Sequence, residues 1–123
     1  TRRTMNTFRA VAVFPHIAPG DFEQFCLVAK QLMAEIQKQE STLRYDMFFN
    51  PEKTRCTVLE EFESPEGVFE HVKKNGELIA QLTLLGGTIE GSVFPMSQDG
   101  EAINEIKNNW DSKYHLHFLG KTQ

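Results

Sequence analysis

Residues 22 to 36 carry the clearest pattern in the chain. Phe22, Phe25, Cys26, Ala29, Leu32, Met33 and Ile36 recur at steps of three and four, which is one face of an α-helix. Glu23, Gln24, Lys30 and Gln31 fill much of the opposite side, and "APGD" makes a corner just before it. Upstream, "TFRAVAVF" (7–14) has few polar residues and is followed by Pro15, which predicts a buried strand. "TLRYDMFF" (42–49) and "RCTVLEEFE" (55–63) predict two more strands. "NPEKT" between them opens on an Asn-Pro turn signal, so the pair reads as a hairpin.

Ser64 is placed to cap a second helix, with Pro65 at its first position and Glu66 near the positive end of the dipole. Asn75-Gly76 predicts an interruption of that helix; "ELIAQLTLL" resumes it and Gly86-Gly87 stops it. "TIEGSVFP" predicts a strand. "GEAINEIKNNW" predicts a short helix with Ile103, Ile106 and Trp110 on one side, and "KYHLHFLG" a closing strand. The order β-α-β-β-α-β, then α-β, predicts an α+β fold: a ferredoxin-like split βαβ with an antiparallel sheet, plus a C-terminal helix and strand. One domain is expected over residues 1–123, with a core of about 7–95 and an extension of about 96–120.

Composition narrows the function classes. Of the 123 residues, 40% are hydrophobic, enough for a real core. The formal charge of -4 argues against nucleic acid, which needs a basic footprint; Arg2-Arg3 and Lys73-Lys74 are too few to make one. No apolar run approaches the roughly 20 residues of a membrane span. The basic start has too short an apolar stretch for a signal peptide, and Met5 reads as an internal or alternative start. Cys26 and Cys56 form no CxxC and no disulfide framework. They read as buried thiols in a reducing compartment, so a cytoplasmic protein is expected.

The element order, together with "E-x-F-x-S-x-E-G-x-x-x-H" from Glu60 to His71, resembles the antibiotic biosynthesis monooxygenase family. That family's usual pattern is a Glu, an aromatic (often Trp), Ser, an acidic pair, a small residue and His. Here Phe62 stands at the aromatic position, Pro65 replaces an acid and Gly67 replaces the usual Ala. "QESTLRYDMFFNPEKTR" is similar to the family's Pro-Gly-to-Tyr strand and hairpin; it lacks the Pro-Gly, and Tyr45 matches the Tyr. "FPHIAPGDFEQF" is similar to the first strand-to-helix corner. The resemblance covers residues 7 to about 95.

It implies a dimeric α+β barrel, two sheets packed face to face across a homodimer axis, with an apolar cavity in each subunit between sheet and helices. In some members that cavity oxidises quinols or polycyclic phenols with molecular oxygen and no cofactor. The expected function is therefore a cofactor-independent monooxygenase acting on a small aromatic quinol or phenol. The alternative is a binding or structural member that holds a hydrophobic ligand without chemistry, and the sequence does not separate the two. Haem-degrading relatives carry an Asn on the first strand, a Trp in the second helix and a His a few turns later. "TFRAVAVF" has no Asn, and His71 and Gln81 stand about where the Trp and His would be, so that activity is set aside.

Within that frame His71 is the expected catalytic residue. It lies at the edge of an apolar stripe, and neutral imidazole suits a base for a phenolic proton near pH 7. The plainer reading is a boundary histidine bonded to a carbonyl or water. Tyr45, Glu60, Phe62 and Phe69 are the expected substrate-binding residues. Tyr45 shares an apolar strand face with Leu43, Met47 and Phe49, where a core tyrosine and a pocket donor are both open readings. Glu60 can orient His71 or bind a substrate hydroxyl; its strand-end position favours a plain pair with Arg44 or Arg55. His115 and His117 share one face of the closing strand, but no third ligand stands at a recognisable spacing, so no metal is expected. His16 reads as a loop residue.

Overall fold

The computed structural model describes residues 7–97 and 100–121. Arg2-Arg3 and Met5 lie outside the described residues.

The elements run β1 (Phe8–Phe14), α1 (Phe22–Ile36), β2 (Thr42–Phe49), β3 (Cys56–Phe62), α2 (Glu66–Gly86), β4 (Glu90–Pro95), α3 (Glu101–Asn109) and β5 (Lys113–Tyr114). The sheet order is β2-β3-β1-β4-β5. The first four strands pair antiparallel, as a split βαβ requires. The fifth departs from the expected antiparallel sheet, because β5 pairs parallel with β4. It is also far shorter than the eight residues its pattern suggests: Ser92 and Val93 pair with Lys113 and Tyr114, and the chain beyond leaves the ladder. Leu116, Phe118 and Leu119 then stand exposed.

Strand alternation separates two faces. On one, Phe8, Phe14, Tyr45, Val58, Phe62 and Val93 are buried. Phe14, Tyr45 and Val58 pack with Phe25, Val28 and Leu32 of α1 and Leu82 of α2. Phe8, Phe62 and Val93 pack with Ile103 and Ile106 of α3. Large apolar residues of the other face, Phe48, Leu59 and Phe94, remain exposed.

Three local expectations are corrected. Cys26 is only half-buried, and Val28 takes its place on the core face of α1. Ser64 does not cap α2 with its hydroxyl; instead the Gly67 N–H donates to the Ser64 carbonyl (2.9 Å) and the Val68 N–H to that of Pro65 (3.1 Å). Nor does α2 break at Asn75-Gly76. It runs unbroken for 21 residues, because the Asn75 side chain is buried and bonded to Gln39 and to the His71 carbonyl one turn back, within the helix. Gly67 has a structural reason to replace alanine: a Cβ there would lie 2.9 Å from that of Phe62, so only glycine lets the first turn of α2 close onto β3. Gly87, at φ 91°, ends the helix in a conformation that L side chains rarely adopt.

Candidate functional site

A cavity of about 400 Å³ lies between the inner face of the sheet and the helices. Apolar side chains supply most of its wall, among them Ala10, Ala12, Val68, Ile89, Val93 and Trp110. Tyr45, Glu60 and His71 meet there as its titratable side chains from β2, β3 and α2, and Asp111 and Ser112 border it after α3.

Each of the three is placed by simple geometry. Period two puts Val58, Glu60 and Phe62 on the inner face of β3. The β2–β3 register sets Tyr45 directly opposite Glu60 and Arg44 opposite Glu61. The tight start of α2 on Phe62 then brings His71, one and a half turns later, over the same spot. Its ring centroid lies 5.1 Å from that of Tyr45 and 5.4 Å from that of Phe62.

Burial sets the proton affinities. His71 is only 4% exposed, and desolvation of its charged form lowers its pKa to about 4. It is therefore neutral at pH 7. Glu60 behaves in the opposite sense, since burial pushes its carboxyl up to about 7. Its expected pairing with Arg44 or Arg55 does not form: Arg44 bonds Asp46 at 3.0 Å, and Glu60 has no ion-pair partner among the described residues. The Tyr45 hydroxyl is raised well above its ordinary value, first by burial and then by the nearby Glu60 carboxylate, so it stays a protonated donor.

Two expected binding residues stand back from the cavity. Phe62 is fully buried behind His71. Phe69 packs on Trp110, ring centroids 5.3 Å apart, and it is Trp110 that reaches the cavity wall. Two residues not expected from the sequence support the site. Asn75 is buried one turn beyond His71; its side-chain nitrogen lies 3.1 Å from His71 Nδ1 and donates to the His71 carbonyl (2.9 Å). Gln39, after α1, exchanges two hydrogen bonds with Asn75, at 2.9 and 3.0 Å. The i, i+4 spacing of His71 and Asn75 was a usable signal; nothing in the sequence pointed to Gln39.

A second concavity, of about 530 Å³, lies on the opposite face of the sheet under residues 115–119. Its cations are already engaged. Arg9 pairs with Glu61 at 3.5 Å and Arg44 with Asp46, while His115 stacks on Phe94 with centroids 4.6 Å apart. Among the described residues no three His, Cys, Asp or Glu side chains come together as a metal site. No described helix is long and apolar enough to cross a membrane.

No family model and no curated protein matches the chain. Solved structures do. An antibiotic biosynthesis monooxygenase superposes over 70% of this chain and 92% of its own, at 16% identity and a TM-score of 0.60. The chain has the antibiotic biosynthesis monooxygenase fold. A conserved protein of Methanosarcina mazei Go1 is similar over 76% of this chain and 96% of its own, at 21% identity and a TM-score of 0.69. MupZ from Pseudomonas fluorescens is similar over 96% of this chain and 95% of its own, at 16% identity and a TM-score of 0.79. The monooxygenase fold thus accounts for the split βαβ, and MupZ matches it together with α3 and β5.

Proposed function

We propose that this protein is a cofactor-independent monooxygenase that oxidises a small aromatic phenol or quinol with molecular oxygen, as a homodimer in the cytoplasm. The observation that carries the proposal is Glu60: a carboxyl without an ion-pair partner among the described residues, raised to about 7, on the wall of an apolar cavity large enough for an aromatic ligand. A general base works best with a pKa near the operating pH, and Glu60 has it where His71 does not.

In this mechanism the Glu60 carboxylate takes the hydroxyl proton of the substrate. The phenolate passes one electron to dioxygen, and the resulting radical and superoxide join at a ring carbon that bears hydrogen. Glu60 returns its proton to the peroxide so formed. Breaking the O–O bond then expels water, using the hydrogen of that carbon, and leaves a new carbonyl. The balance is phenol plus dioxygen to quinone plus water, with every electron drawn from the substrate, so the step needs no cofactor. Tyr45 and neutral His71 donate hydrogen bonds to the oxygens that gather charge, in a setting where water is largely excluded.

Turnover under ¹⁸O-labelled dioxygen tests the reaction. One labelled atom is expected in the product and one in water. Label in water alone, or none in either, would count against a monooxygenase. The reading as a non-catalytic binding protein would gain if aromatic ligands quench Trp110, the chain's one tryptophan, without being converted.

A further inference from the structure

We propose that Asn75 and Gln39 are positioning residues that lock His71 in a single tautomer, with its proton on Nε2, so that the ring meets the cavity as a hydrogen-bond donor. A main-chain carbonyl can only accept, so the atom of Asn75 lying 2.9 Å from the His71 carbonyl is its nitrogen. That same nitrogen lies 3.1 Å from His71 Nδ1. Its two hydrogens are shared among the His71 carbonyl, Gln39 Oε1 and Nδ1, and an amide nitrogen has no lone pair with which to accept from Nδ1, so Nδ1 is bare and the proton of a neutral imidazole lies on Nε2.

Gln39 holds the amide in this orientation. Its Nε2 donates to Asn75 Oδ1 (2.9 Å), and its Oε1 accepts from Asn75 Nδ2 (3.0 Å). Flipping Asn75 would set oxygen against oxygen at both the Gln39 and the His71 carbonyls. The Gln39 backbone is itself fixed, its N–H donating to the Ile36 carbonyl at 2.9 Å. Asn75 is 2% exposed, so no bulk water competes for these bonds.

The bare nitrogen being engaged, His71 offers the cavity a proton and not a lone pair. This separates the roles on the wall: Glu60 accepts a proton while His71 stabilises charge that develops on oxygen. The catalytic consequence rests on the oxygenase reading above; the tautomer itself does not. A purely structural role, an amide pair that only ties α1 to α2, would leave the ring free to exchange its proton.

Nitrogen NMR of the ¹⁵N-labelled full-length chain at pH 7 reads the tautomer directly. The wild type is expected to show a protonated Nε2 and a bare Nδ1. Asn75→Asp replaces the donor beside Nδ1 by an acceptor, so the proton is expected to move to Nδ1. In Gln39→Leu the ring signals should move toward the averaged positions of a free imidazole. A protonated Nδ1 in the wild type overturns the proposal, as does an unmoved proton in folded Asn75→Asp. If Asn75→Asp does not fold, Gln39→Leu decides, and signals unchanged from wild type overturn the lock. On a confirmed substrate Asn75→Asp is expected to turn over roughly 10²-fold more slowly. A locked ring in a chain that consumes no phenol would count against the oxygenase reading alone; an active chain with an averaging ring would count against the lock alone.

Discussion

Tyr45 sits directly across the β2–β3 ladder from Glu60, and both side chains face the cavity. Opposed positions on antiparallel strands hold their Cβ atoms about 5 Å apart, so a phenol hydroxyl delivered to one group lies within reach of the other. The Tyr45 hydroxyl is kept protonated by burial and by the Glu60 carboxylate. Tyr45→Phe removes that donor and little volume. Steady-state kinetics on a confirmed substrate should show kcat/KM lower by about tenfold, the size of one hydrogen bond, with the far-ultraviolet dichroism unchanged. An unaltered kcat/KM would return Tyr45 to the role of a core tyrosine.

Glu60 is held at a cost to stability, and the sign of its pH dependence follows from its raised pKa. A carboxyl at about 7 in the folded chain and 4.5 in the unfolded one is penalised when ionised. The penalty is absent below pH 4.5, grows as pH rises through this window and is complete above 7. Glu60→Gln should therefore stabilise the chain at pH 8 by roughly 2–3 kcal/mol, once the partial exposure of the carboxyl is allowed for. Near pH 4.5 it should change little. Urea unfolding at the two pH values checks this, and equal midpoint shifts at both would contradict it.

Much of the fold was legible because it is governed by local pattern. The three- and four-residue spacing from Phe22 to Ile36 gave α1 its bounds, and the Asn50-Pro51 turn separated β2 from β3. Three misreadings share a different cause: each depended on a contact distant in sequence. Asn75-Gly76 reads as a helix break on propensity, yet the partner that keeps Asn75 inside α2 is Gln39, 36 residues away. Arg44 is a reasonable partner for Glu60 until the register turns it to the outer face, opposite Glu61. Residues 113–120 alternate like a strand, but β4 offers pairing only to Lys113 and Tyr114. The site was partly legible. His71, Tyr45 and Glu60 are brought together, while their proton affinities depend on burial that no local pattern encodes.

The outer face of the sheet leads to the expectation of a dimer. Phe48, Leu59 and Phe94 are 53%, 39% and 37% exposed on it, and Leu116 and Phe118 of the tail stand exposed beside it. An apolar surface of this extent is rarely left in water. Sedimentation at micromolar concentration should give a dimer for the wild type, and the double variant Leu59→Glu, Phe94→Glu should be monomeric with its helix content intact. A monomeric wild type would contradict this.

Oxygen uptake with a set of phenols and quinols, followed from pH 5 to 9, tests the catalytic role of Glu60 most directly. A base that works in its ionised form predicts a rate that rises with pH through about 7, the position to which burial moves Glu60. Glu60→Gln, folded and still binding substrate by Trp110 quenching, should lose that rise and at least 10²-fold in rate. Uptake in Glu60→Gln equal to that of the wild type, or no uptake with any compound that quenches Trp110, would contradict the account.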